Sequence, residues 1–363
     1  MNKKSIVVIF LLLVILAAIV VSIHSLGGSA PKQEKAVVGV IMPGSVSEEG
    51  WNSVHYKGIK EACDSLNAEV ALIENVSESA NIDSVIEVLA NQGARIIILG
   101  SYYYPAAGAK SIRNRPDIFF YCCSAEFDSK NFKAYFGRMY QGRYLAGIVA
   151  GLTSKSGRIG YVAAMNNSEV NRGINAFALG VRRVNPKAKV LVSWTNSWND
   201  ADVEKAHANK LIDSGKVDLI TYHQNRKNVP MVAEEKGIPY IGYNDVTLQG
   251  SELHLTTVLS NWYIIYREFI QDFLQQKNKD NMTYWTGVEK DAVYLSHFSP
   301  LVSESTAQKV QEVLNELKAG ADAFIGPIRD NQGRRRCDKN ETISDQELRS
   351  NMDWFVEGVE LYE

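Results

Sequence analysis

A chain of 363 residues is longer than one hydrophobic core usually serves, so two lobes are expected. Its 45% apolar and 22% charged content is that of a folded globular protein. A net charge of -2 lacks the basic excess of a nucleic-acid binder, and no nucleic-acid partner is expected.

The N-terminus differs from the rest. Lys3 and Lys4 precede an unbroken apolar run over residues 6–23, followed by Ser25, Gly27, Gly28, Ser29 and Ala30. A positive flank, an apolar stretch and small residues make an export signal. The positive end stays in the cytoplasm, so the remainder emerges at the extracytoplasmic face of the cell membrane. The run is long for a cleaved signal and meets the lower limit for spanning a bilayer. Pro31 directly after Gly28-Ser29-Ala30 disfavours cutting there. No cysteine near the end of the run offers a lipid attachment point. Residues 1–30 therefore read as an uncleaved anchor in preference to a cleaved signal that would leave a secreted or periplasmic protein.

From Lys35 onward, short apolar runs alternate with helical patterns. Residues 36–42 (AVVGVIM) are continuous and β-branched, as in a strand covered on both faces. A helix follows over 52–66 and a strand over 69–73. Ile82, Val85, Ile86 and Leu89 have helical spacing within 82–92. Residues 95–99 and 117–122 are further strands, with Cys122 and Cys123 in buried positions. The rhythm restarts with a strand at 158–163. A helix over 170–184 stops at Asn185-Pro186. Strands at 189–194, 218–222 and 240–243 alternate with helices at 201–214 and 229–236, the latter capped by Gly237. The fold class is α/β: two doubly wound parallel-sheet lobes after an N-terminal signal or anchor helix. Residues 36–154 plus about 250–285 form the first lobe. Residues 158–246 plus about 288–330 form the second, and 331–363 pack on the lobes. Linkers are expected near 153–157 and 246–250, with the helix 261–276 returning to the first lobe.

In such a fold the ligand lies between the lobes at the carboxyl ends of the strands. Those positions are rich in rings and short polar groups. Glu48, Trp51 and Asn52 follow the first strand. Tyr102 and Tyr103 follow another, and Trp198, Asp200, His223, Asn225 and Asp245 follow strands of the second lobe. A flat, uncharged heteroaromatic ligand is held by stacking between two rings, here Trp51 and Trp198. Amide, imidazole and carboxylate groups then read its edges. Competing structural roles exist. Asp200 stands directly before a helix, where it serves as an N-cap. His55, one turn after Trp51, reads as a hydrogen-bonded packing residue. No GxSxG elbow, HExxH or GxxxxGK[ST] motif occurs. The four cysteines have neither CxxC spacing nor paired histidines. No catalytic residue, metal or cofactor is expected, and the chain does not read as an enzyme.

The residues also resemble a known family. Gly50-Trp51 with His55 and Gly58 is similar to the first ligand-loop motif of the basic membrane protein family, the purine-binding receptors of ABC importers. Tyr135-Phe136-Gly137-Arg138 and Tyr144-Leu145-Ala146-Gly147 resemble it too. So do the run Asn171-Arg172-Gly173-Ile174-Asn175-Ala176-Phe177, then Gly180, Trp194, Trp198-Asn199-Asp200, Gly242-Tyr243 with Asp245, and Met352-Asp353-Trp354. The resemblance implies a type I periplasmic-binding fold closing on a purine nucleobase or nucleoside, no catalysis, a membrane permease as partner, and a monomer. Trp51 takes the position of the first stacking aromatic, Trp198 an aromatic position of the second lobe, and Asp245 an acidic position of its last loop. Three departures stand out. Leu259-Ser260-Asn261-Trp262 lacks the lysine of nucleoside-binding members, which tilts the ligand towards a free base such as adenine. Asn225 and Glu48 each replace a commoner aspartate. An alternative function is a membrane-anchored sensing module that signals through a partner instead of importing.

Overall fold

The computed structural model describes residues 35–47, 51–245, 250–277 and 283–363. The expected anchor over 1–30, Glu48 and most of the expected linker 246–250 lie outside the described residues.

The first sheet is parallel throughout, in the order β11-β5-β4-β3-β1-β2. Its parts run β1 (Val37–Ile41), α1 (Trp51–Ser65), β2 (Glu69–Ile73), α2 (Ile82–Asn91), β3 (Ala94–Leu99), short helices α3 (Tyr104–Ala107) and α4 (Ala109–Asn114), β4 (Phe119–Cys123) and β5 (Phe132–Gly137). The continuous apolar strands are buried because helices cover both faces. Ile82, Ile86 and Leu89 of α2 supply part of that cover.

The second sheet has the order β12-β10-β9-β8-β6-β7-β15. The chain reaches it through α5 (Met139–Thr153), then β6 (Arg158–Ala163), α6 (Ser168–Val184), β7 (Lys189–Trp194), α7 (Ala201–Asp213), β8 (Leu219–His223), α8 (Asn228–Lys236), β9 (Tyr240–Tyr243) and β10 (His254–Ser260). Next come α9 (Trp262–Leu274), β11 (Tyr284–Thr286) in the first sheet, β12 (Val293–Leu295) in the second, α10 (Glu304–Lys318), the ribbon β13 (Ile328–Arg329) and β14 (Arg335–Cys337), and β15 (Val359–Leu361). Both sheets thus share one order, 2-1-3-4-5 and 7-6-8-9-10. The strand order reverses between β1 and β3 in one lobe and between β6 and β8 in the other. Those two reversal points are where such sheets bind ligands.

The inter-lobe passages differ from the sequence expectation. Helix α5 packs on α6, α10 and β10, so it belongs to the second lobe, and the first passage lies at Arg138 instead of 153–157. Strand β10 pairs with β9, while α9 packs on α1, which puts the return passage at Asn261 instead of 246–250. A further passage at Gly287 leads from β11 to β12. Thr153 to Gly157 has linker-like composition, but it is only the turn between α5 and β6, tied down by Asp218 accepting from the backbone N–H groups of Lys155 and Ser156.

Helices α5 and α6 cross with their backbones almost touching. A Cβ on Gly147 would stand 2.1 Å from the Phe177 carbonyl, and one on Gly180 would stand 2.0 Å from that of Tyr144. Only glycine permits this approach. It brings Arg143 and Gly173 to one interface. The C-terminal segment is clamped to the same helix. Asn175 Nδ2 donates to the Trp354 carbonyl, and its Oδ1 accepts from Val356 N–H. Strand β15 then pairs with β7, so residues 359–361 extend the second sheet.

Candidate functional site

In the first lobe, Trp51 opens α1 beside the β1/β3 reversal. Its indole Nε1 donates to the Gly100 carbonyl at 3.1 Å, while the residue stays 39% exposed. Its edge is thereby fixed and a face is left open. Behind it the His55 ring lies 3.9 Å away between centroids, and Trp262 lies 3.8 Å beyond His55. His55 Nδ1 is hydrogen-bonded to Tyr266 Oη at 2.6 Å, and Tyr266 Oη to Tyr135 Oη at 2.7 Å. Burial lowers the His55 pKa to about 3, so the ring is neutral. His55 is therefore a hydrogen-bonded packing residue that braces Trp51 against the start of α9. Asn52 packs under the 43–47 loop with its Oδ1 enclosed and without a hydrogen-bond partner among the described residues. Tyr102 and Tyr103 follow β3, each 62% exposed and edge-to-face at 5.7 Å.

In the second lobe, Trp198 is half-buried on the loop after β7, and its carbonyl accepts from the Asn225 N–H at 3.2 Å. The exposed Asn225 thus braces the Trp198 loop through its backbone. The Trp198 ring stands edge-on to His223 at 5.8 Å, and His223 lies 4.2 Å from Tyr243. Asp245 is half-buried, 3.6 Å from Lys227 Nζ. Asp200 is exposed and caps α7, its Oδ1 accepting from Val203 N–H at 3.1 Å. Of the two roles open to it, the structure displays the cap.

Sequence reasoning passed over several charged groups of this lobe. Arg143, 1% exposed, donates to the Tyr222 carbonyl at 2.8 Å and stacks 3.9 Å over Tyr243. Arg172 donates to the Leu348 carbonyl and lies over Phe136 and Trp285. Glu169, in the first turn of α6, has its pKa raised by burial, with the Arg172 charge opposing. Burial raises the Cys123 thiol and the Tyr243 hydroxyl, and the Glu169 charge adds to both shifts. Glu169 thus lies within electrostatic reach of strand ends in both lobes. Inside helical motifs these residues carry no periodic signal of their own. For Arg143 one clue is available: one helical turn away on either side stand Met139, Tyr140, Ala146 and Gly147, none of them charged. Backbone strain also gathers at strand ends: Ser124, Asn196 and Asn244, after β4, β7 and β9, have φ of 59, 52 and 53°. Asparagine tolerates that region, whereas Ser124 is unusual there.

Among the described residues of this arrangement no nucleophile–base pair is formed. Its open groups are rings and hydrogen-bonding edges, which bind.

Residues 35–320 match the Bmp family, described as ABC transporter substrate-binding protein PnrA-like. A purine-binding protein of Brucella abortus is 32% identical over 339 residues, covering 92% of this chain and 96% of its own length. A putative ABC transporter glucose-binding protein of Haloferax volcanii is 29% identical, covering 92% and 83%. Among solved structures, an ABC transporter solute-binding protein from Conexibacter woesei superposes with a TM-score of 0.63 at 17% identity, covering 78% of this chain and 97% of its own. That likeness shows the type I periplasmic-binding fold. The chain belongs to the basic membrane protein family of ABC-transporter substrate-binding proteins and is an extracytoplasmic solute binder, not an enzyme.

Proposed function

We propose that the protein captures a purine, with a free base such as adenine favoured over a nucleoside, and delivers it to an ABC permease. The observation that carries this reading is the pair of indoles at the two lobes' strand ends. Trp51 is pinned at its edge with a face open, and Trp198 stands over His223. Rings presented from two lobes that close on each other suit a flat heteroaromatic ligand. Asp245, His223, Asn225 and Asn52 would meet its polar edges, and Tyr102 and Tyr103 would close a side. The purine-binding relative in Brucella abortus supports the ligand class. The missing lysine near Ser260 favours a base, because a ribose would lose a charged partner. An uncleaved N-terminal segment would hold the monomer at the membrane.

Calorimetry with adenine, guanine, adenosine, inosine and glucose tests this. Binding of a free base at micromolar concentration, tighter than its nucleoside, is expected. Absence of purine binding, or preferential binding of glucose, would refute it.

A further inference from the structure

Beneath Trp198 the second lobe holds polar atoms that its own fold leaves unpaired. Tyr161 of β6, His223 of β8 and Arg143 of α5 are 0%, 4% and 1% exposed. Tyr161 Oη, His223 Nδ1 and Arg143 Nε are all enclosed without a hydrogen-bond partner among the described residues. Two of these atoms meet at one point. A Cβ placed on Gly173 of α6 would stand 3.6 Å from Tyr161 Oη, 3.7 Å from His223 Nδ1 and 3.9 Å from Arg143 Cγ. The point beside Gly173 thus admits a methyl at ordinary contact distances and is bordered by two unpaired polar atoms and the Arg143 Cγ methylene. Desolvated polar atoms left unpaired are costly, and a polar space of this size is where a buried water is expected.

The surrounding charges decide how the imidazole carries its proton. Arg143 stacks over Tyr243 at 3.9 Å and lies 5.3 Å from the centre of the Tyr161 ring, and its Cγ borders the same point beside Gly173 as His223 Nδ1. An arginine only donates hydrogen bonds, and its positive charge favours a lone pair facing it. Burial first, and then the charges of Arg143 and Arg172, hold the His223 pKa well below its usual value. The ring is thus neutral, with one proton to place. The other nitrogen, Nε2, makes no hydrogen bond among the described residues, and the ring sits at the end of β8, edge-on to Trp198.

We propose that His223 is a specificity-determining donor: one water molecule bound beside Gly173 fixes the ring with its proton on Nε2, which faces the interlobe cleft and meets an unprotonated ring nitrogen or carbonyl oxygen of the ligand. The ligand half of this inference rests on the purine reading of the cleft. The tautomer and the water do not. With Asp245 accepting, the second lobe would offer one donor and one acceptor to a heterocycle carrying both.

Nitrogen NMR of the ligand-free protein, labelled at histidine and assigned with His223→Gln, reads the tautomer directly. A neutral ring protonated at Nε2 from pH 5 to 8 is expected; a proton on Nδ1, or an imidazolium, overturns the proposal. Gly173→Ala supplies the second arm. The added methyl fits at ordinary contact distances, and helix propensity favours alanine, so a purely structural glycine predicts unchanged binding. The proposal predicts loss of the single-tautomer signal and about tenfold weaker adenine or hypoxanthine binding, one hydrogen bond's worth. An unchanged tautomer and unchanged affinity in Gly173→Ala would overturn it. Should the wild-type protein bind neither base, the purine reading falls, while the NMR arm still decides the tautomer.

Discussion

At the strand ends of the first lobe the open groups are rings. Trp51, Tyr102 and Tyr103 stand exposed, and what braces Trp51 is itself aromatic: His55, Trp262, Tyr266 and Tyr135. At the strand ends of the second lobe, Trp198 stands edge-on to the buried His223, and the same lobe carries the buried Arg143 and Arg172 and the half-buried Glu169. The first arrangement is held by ring packing and hydrogen bonds among neutral groups, the second by hydrogen bonds from cations to carbonyls. The contrast separates two tasks. A ring platform gives contact area without selectivity, whereas fixed donors and acceptors discriminate between ligand edges. It also predicts that the lobes respond differently to substitution.

The largest effect is expected in the second lobe. Arg143→Ala removes the donor to the Tyr222 carbonyl and the stack on Tyr243, and leaves a cavity under β8. A loss of about 3–5 kcal/mol in urea unfolding is expected. A loss below about 1 kcal/mol would erase the distinction between the lobes. The next effect belongs to the first lobe and appears in acid. The His55 pKa of about 3 lies below the unfolded value, so as pH falls the unfolded chain takes the proton first. The stability contributed by the neutral ring is full above pH 6.5 and is lost as pH falls towards 3. His55→Gln should flatten the acid side of the stability profile by about 1.4 kcal/mol per pH unit between pH 6 and 4. The slope carries the result, whatever the variant does to stability at neutral pH.

The lobes also differ in how much of them the sequence made legible. The alternation of β-branched runs and helical spacing located β1, β3, β6 and β8 within about two residues. The strand-end rule then pointed to Trp51 and Trp198. Packing roles near Trp51 were readable because His55 sits one helical turn away. The inter-lobe passages were misplaced for a physical reason. Arg138, Asn261 and Gly287 lie among apolar residues, and the passages there are pinned by side chains: Arg138 pairs with Asp345 and lies 4.3 Å over Trp285. The polar, glycine-containing stretch 153–157 had the composition of a linker without the location of one. Arg143 stayed hidden for a related reason: a buried cation in a helix looks like a solvated one until its partners, here the Tyr222 carbonyl and the Tyr243 ring, are known from the tertiary fold.

Smaller effects sharpen the contrast at the cleft itself. Trp51→Ala should weaken the best purine about tenfold in calorimetry, about 1.4 kcal/mol, with the protein still folded. Trp51→Phe, which keeps a ring but loses the bond to Gly100, should lie between the two. Equal affinity in all three would remove Trp51 from the ligand's path.

Asp200 supplies the finest test, because its two roles predict different readouts. Its carboxylate accepts from Val203 N–H at the start of α7, and the residue is exposed. If capping is all it does, Asp200→Ala lowers stability by about 1 kcal/mol, and Asp200→Asn, which still caps, restores most of it. Ligand affinity then stays the same in both variants, since the helix start moves little. Should Asp200→Asn keep stability while affinity drops, the charge itself reaches the ligand, and edge reading in the second lobe extends from the β8 and β9 ends to the β7 loop. Measuring unfolding and binding on the same two variants separates these cases, because the cap depends on an oxygen acceptor and the ligand contact would depend on charge.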